Sequence, residues 1–231
     1  MPKFVWNGTK FIPTKDRIAF VTFATDRYVG HDLKLRQSVQ THCPDADVFT
    51  FRSFEEIGSP IQSVNPYAFK VYAIESVRQL GYDVILWSDS VNRLSKSIEP
   101  VFDRLKTVGV YLPADGWKVG EWANDKSLSY FGVSRDEAMT IESCYACVLG
   151  FDFRNPITNE FFTRWKRACQ DGVFCGMWSN TNNTESEDPR CRGHRHDQTC
   201  ADLIAYNLNI PKSEPLIGEA SKKYFTSFRY P

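Results

Sequence analysis

Short apolar runs alternate along this chain with stretches whose apolar residues recur at helical spacing, and that alternation predicts the elements. Arg17 to Thr25 is dense in β-branched and aromatic residues and reads as the first strand. It gives way to a small, polar loop from Ala24 to Gly30, then to His31–Thr41, a helix carrying Leu33, Leu35 and Val39 and stopping before Pro44. Asp47 to Phe51 is a second strand. Asn65-Pro66 signals the next helix, with Asn as N-cap and Pro in the first turn. Phe69, Tyr72, Ala73 and Val77 follow at helical spacing, and Gly81 terminates it. Val84 to Trp87 is apolar at every position, the mark of a strand buried on both faces, and it breaks abruptly into Ser88-Asp89-Ser90-Val91-Asn92. Strand and helix therefore alternate as far as Trp87, an order that predicts an α/β fold with a mostly parallel, Rossmann-like central sheet flanked by helices.

The second half is less regular. Glu99 to Lys106 reads as a short helix, Val108 to Leu112 as a strand, and Gly116 to Glu137 as a surface loop with helical pieces. Glu142 to Phe151 is apolar enough for one buried strand. Asn159 to Gln170, with Phe161, Phe162 and Trp165, is an amphipathic helix. Residues 178–193 are polar and predict a mobile loop, and Asp197 to Asn207 is a helix capped by Asp197 or its neighbour. Residues 1–16 form an irregular lead-in with at most a short edge strand, and the tail 211–231 predicts nothing. No repeat or long linker interrupts the pattern, so a single domain spanning 1–231 is the expectation.

Composition narrows the partners. Lys+Arg and Asp+Glu are both 28, so no basic face is available for bulk nucleic-acid binding. Aromatic residues make up 14%, suited to a core and equally to stacking on bases or sugar faces. The amino terminus shows no apolar leader and no window approaches about eighteen apolar residues, which predicts a cytoplasmic protein without a membrane span. Seven cysteines, an odd number, fit reduced thiols. Cys191, His194, His196 and Cys200 match no standard zinc spacing, and Cys144 and Cys147 fall inside the apolar strand and read as core.

Three polar clusters end predicted strands or start helices: Ala24 to Tyr28, Asp89 to Asn92, and His194 to Gln198. In a parallel sheet the carboxyl ends of the strands share one edge, where ligands bind. Such a crevice would combine Tyr28 for stacking and Asp89 for a divalent cation. It would add Asp197 or His196 as proton acceptor, and Lys70 and Arg195 for phosphate. Each has a plainer alternative. Asp89 starts a turn, Asp197 caps its helix, Lys70 is a solvated helix residue, Tyr28 is half-buried, and Glu142, which opens an otherwise apolar strand, is a strand-end charge.

Four anchors, Val21-Thr22-Phe23-Ala24-Thr25-Asp26, Phe69-Lys70, Leu86-Trp87-Ser88-Asp89-Ser90 and Arg195-His196-Asp197-Gln198, resemble in order and spacing the GT-A fold glycosyltransferases. The resemblance runs from about Arg17 to Ile210 and is nearest the small transferase domains of large algal DNA viruses, the chloroviruses. It implies a GT-A-like fold with a nucleotide-binding half, about 17–112, and an acceptor-side half, about 113–210. It implies an inverting hexosyl or deoxyhexosyl transfer from a nucleotide sugar, UDP as carrier, to a glycan or glycoprotein acceptor. Mn²⁺ or Mg²⁺ would be held by Asp89, in an Asp-x-Asp motif whose second acid is here Val91, with help from Ser90 or Asn92. The donor would be bound by Ala24, Thr25, Tyr28, Lys70 and Ser90, and Asp197, with His196 second, would be the base. Glu142, Trp122 and Gln198 would face the acceptor. The rival expectation is a non-catalytic nucleotide- or glycan-binding module whose degenerate motif has lost its metal. Nothing in the sequence bears on oligomeric state.

Overall fold

The computed structural model describes residues 4–6, 11–13, 17–214 and 224–227. Strands β1 (Phe4–Trp6) and β2 (Phe11–Pro13) pair with each other rather than with the main sheet. The first half then runs β3 (Ile18–Phe23), α1 (His31–His42), β4 (Asp47–Phe51), α2 (Ala68–Gln79), β5 (Val84–Ser88) and β6 (Asn92–Leu94). It continues through α3 (Glu99–Val108), β7 (Val110–Tyr111), β8 (Ala114–Lys118), α4 (Asp125–Phe131), α5 (Arg135–Ala138) and β9 (Glu142–Cys144). The last elements are β10 (Val148–Asp152), α6 (Pro156–Gln170), α7 (Asp197–Asn207) and β11 (Phe225–Ser227), which pairs with β6.

The central sheet has five strands in the order β4-β3-β5-β10-β7. β3 pairs in parallel with β4 and β5, and β10 runs antiparallel to both β5 and β7, so the sheet is mixed and mostly parallel. Strand alternation builds two cores from the same sequence. Ala19 and Val21 of β3, Ile85 and Trp87 of β5, and Leu149 and Phe151 of β10 face one side, against α2, α6 and α7. Phe20, Val84, Leu86 and Val148 face the other, against Leu35 and Val39 of α1 and Val101 and Leu105 of α3. This is why the Val84 to Trp87 run is apolar without alternation: both of its faces are covered.

Three boundaries depart from the sequence pattern. The run from Glu142 to Phe151 is two strands broken by a turn at 145–147, and only β10 joins the central sheet. Helix α2 starts at Ala68: Asn65 donates its side-chain amide to the Cys169 carbonyl (2.8 Å), its Oδ1 accepts from no helix amide, and Tyr67 takes a left-handed conformation (φ 61°). The Asn-Pro signal is used instead at Asn155-Pro156, where Asn155 accepts from the Ile157 amide (3.1 Å), so α6 begins before the predicted Asn159. The polar stretch 178–193 is pinned by Asn180, whose side chain bonds Glu185, Ser186 and Cys191. Residues 215–223 and 228–231 of the tail, and residues 1–3, 7–10 and 14–16 of the lead-in, lie outside the described residues. Among the described residues no helix is long and apolar enough to cross a membrane.

Candidate functional site

After β3 the chain crosses to β4 on one side and then returns to β5 on the other, so the strand order reverses between β3 and β5. A crevice is expected at the carboxyl ends of those strands. A cleft of about 790 Å³ lies there. Thr25 and Tyr28 enter it from the loop after β3, Asp89 and Ser90 from the end of β5, Lys70 from α2, and Asp197 and Gln198 from the start of α7. The three sequence clusters do converge.

One wall is aromatic. Phe69 stacks on Phe23 (centroids 4.7 Å apart) and packs edge-on against Phe54, while Tyr67 meets Trp178 edge-on (5.9 Å). Arg195 lies 3.8 Å from the Trp122 ring and 4.5 Å from the Trp178 ring, so two indoles fix its guanidinium plane. Phe54, Tyr67 and Trp178 were not read from the sequence. Large aromatics beside Pro66 or in the polar stretch 178–193 were the available signal.

On the floor, the Lys70 ammonium bonds the Asp197 carboxylate (2.8 Å) and the Ala146 carbonyl (2.9 Å), and both side chains are buried. Lys70 is therefore not a solvated helix residue, nor is Asp197 only a cap. Burial alone would depress the Lys70 ammonium, but the charges of Asp197, Asp89 and Cys147 more than offset this and raise it. Burial raises the Asp197 carboxyl, with Lys70 pulling the other way. Asp89 is anchored through Oδ1 by the Trp87 indole N–H (2.9 Å), and its backbone amide bonds the Cys147 carbonyl of the 145–147 turn (2.9 Å).

Four expected site residues sit elsewhere. Ala24 is fully buried behind the loop, its amide bonded to Phe51 and its carbonyl to Arg52, so it presents nothing to the cleft. Glu142 is exposed at the start of β9, paired across to Lys118, and does not line the cleft. Trp122 does not line it either; it supports Arg195 from behind. His196 is buried, its Nδ1 tied to the Phe174 carbonyl (2.8 Å) and its ring stacked on Tyr67 (5.4 Å). Burial lowers its pKa, and Nε2 has no partner among the described residues. Its backbone, φ 53° and ψ −117°, is strained where the chain turns into α7 and delivers Asp197 to the floor.

Gln198 gives both amide hydrogens away, to Asp115 Oδ2 and to Ser143 Oγ (2.9 Å each), and Ser143 is held in turn by Asp202 (2.9 Å). The Gln198 amide is thereby locked. Asp115, which sequence reading missed, is pushed up to about 6 by burial, helped by Asp202. A carboxyl raised on folding stabilises below its unfolded pKa and loses that contribution as pH rises through the folded value. Asp115→Asn should therefore gain on wild type by roughly 1 to 2 kcal/mol between pH 4 and pH 7, solvent screening allowed for. Urea midpoints at both pH values check this; parallel pH profiles would refute it.

The cation implied by the resemblance meets a sparse donor set around Asp89. Val91 replaces the second acid, Asp197 is committed to Lys70, and Asn92 spends its amide on Cys147 and Ser88. Among the described residues no three His, Cys, Asp or Glu side chains converge so as to hold a metal ion. The side chains do not fit a multi-carboxylate cage. The four-residue Cys and His cluster is engaged otherwise, with Cys191 donating to Ala123 and Gly193 and His194 bonded to Val173. A second concavity of about 400 Å³, around Asp152 and Arg154, lies by the amino end of β5, away from this chemistry.

No protein-family description matches the chain, and no curated protein does. Among solved structures it is similar to the apo bifunctional glycosyltransferase WbbM, at 15% identity and a TM-score of 0.51. The similarity covers 89% of this chain and 40% of that one, so the chain corresponds to less than half of that protein's length. The fold resembles a glycosyltransferase fold.

Proposed function

We propose that this chain is a GT-A-like glycosyltransferase, moving a hexosyl or deoxyhexosyl unit from a nucleotide sugar, with UDP as carrier, to a glycan hydroxyl. The observation that carries the proposal is the cleft at the strand-order reversal, where an aromatic wall meets Arg27, Lys70 and Arg195 in a glycosyltransferase-like fold. Phe23, Phe54 and Phe69 offer a planar base an apolar wall, and Tyr67 and Trp178 suit the CH face of a sugar. The acceptor oxygen bonds the anomeric carbon as the bond from that carbon to the diphosphate breaks, and the electron pair leaves with the diphosphate. As negative charge grows there, the Lys70 ammonium turns toward it and loosens its hold on Asp197. Asp197, whose proton affinity burial has raised, then takes the acceptor's proton.

A second reading is a non-catalytic nucleotide- or glycan-binding module, favoured by the burial of Asp197 in an ion pair. Incubation with a panel of UDP-hexoses and UDP-deoxyhexoses and a glycan acceptor array separates the two. One donor is expected to release UDP while an acceptor gains the mass of one sugar. Nucleotide binding with no turnover of any donor would leave the module.

A further inference from the structure

We infer that the cleft binds the diphosphate of a nucleotide without a divalent cation, its counter-charge supplied by Lys70, Arg27 and Arg195. The inference rests on the nucleotide-sugar reading and specifies how that site holds its donor.

The cleft lining carries these three cationic side chains against two carboxylates, Asp89 and Asp197, leaving one net positive charge. Lys70 has the properties a built-in cation needs. Its ammonium is buried, fixed by Asp197 and Ala146, and flanked by the rings of Tyr67 (5.0 Å) and Trp87 (5.7 Å). Those two oxygens use two of its three N–H groups and leave one for a ligand. Arg195 presents a guanidinium held between two indoles, a planar donor of the kind that suits phosphate. Arg27, exposed beside the Tyr28 ring (5.0 Å), can reach over the mouth.

A divalent cation entering the same floor would meet Asp89 as the one carboxylate among the cleft-lining residues that is not paired with Lys70. It would also meet the fixed charge of Lys70, whose ammonium senses Asp89. In this geometry Asp89 does not recruit phosphate; its charge opposes it. The two roles predict opposite signs for one substitution. If Asp89 holds a metal, Asp89→Asn destroys nucleotide binding. If Lys70 and the arginines hold the diphosphate, Asp89→Asn removes a repulsion while keeping an oxygen for the Trp87 indole.

The test is calorimetric titration of UDP and of GDP into the whole chain, first in EDTA and then in Mn²⁺, with wild type, Asp89→Asn and Arg27→Gln. At least one diphosphate is expected to bind wild type in EDTA, with Mn²⁺ changing the affinity by less than about threefold. Asp89→Asn should bind as well or a few-fold tighter, and Arg27→Gln roughly tenfold weaker. Arg27 is exposed, so its loss does not threaten the fold. Binding that appears only with Mn²⁺, or vanishes in Asp89→Asn, overturns the inference while the transferase reading stands. No binding of either nucleotide under any condition overturns both.

Discussion

Replacing Lys70 with Met, or Asp197 with Asn, is expected to cost about 3 to 5 kcal/mol of stability, because either change leaves its partner charged and buried without compensation. The double variant Lys70→Met with Asp197→Leu should recover most of that loss, since two apolar side chains replace a pair whose desolvation was itself costly. Both groups are buried and 2.8 Å apart, so their effects must couple strongly. Urea unfolding of wild type, Lys70→Met, Asp197→Leu and the double variant gives the coupling directly. Single variants within about 1 kcal/mol of wild type would show that the pair does not stabilise the fold. The double variant separates stability from chemistry: it should fold, yet transfer no sugar. Asp197→Asn alone cannot make that separation, since it perturbs both.

Gly193→Ala is the second large effect. A Cβ at Gly193 would overlap the Trp178 carbonyl oxygen and sit 2.5 Å from its carbon, contacts with backbone that no rotamer change relieves. Segments 177–180 and 192–194 run side by side there, joined by His194 N–H to the Met177 carbonyl and Asn180 N–H to the Arg192 carbonyl (2.8 Å each). The substitution must push them apart, at a cost of about 3 kcal/mol. It also moves Trp178, which lines the cleft and sandwiches Arg195. A loss of roughly tenfold in nucleotide affinity should accompany the instability. Chemical denaturation and nucleotide titration of the same sample test both; wild-type values in either would refute the corresponding claim.

Much of the fold was legible because local patterns carry it. The β-branched run at β3, the apolar run at β5 and the helical spacing in α1, α2 and α7 each encode their element within a few residues. Asp89, Lys70 and Asp197 could be named as chemistry-bearing residues because each stands at the edge of such an element. The misses have a common cause. Asn65-Pro66 and Asn155-Pro156 are the same dipeptide, and only the second caps its helix; the first is tied to Cys169, 104 positions away, and a left-handed Tyr67 separates it from α2. Glu142 to Phe151 reads as one strand because nothing local reveals that turn 145–147 is needed at the end of β5, where its carbonyls accept from Asp89, Asn92 and Lys70.

The sequence by itself determined the alternation of elements, the α/β class and the short list of polar residues at strand ends, since those depend on side-chain type and spacing over one or two turns of chain. Only the tertiary structure decided what those residues do to one another. It placed Lys70 against Asp197 across 127 positions, put Asp115 behind Gln198, and withdrew Ala24, Trp122, Glu142 and His196 from the cleft lining. Charge pairing and burial act through space, and a buried ammonium takes the nearest carboxylate whatever the distance along the chain.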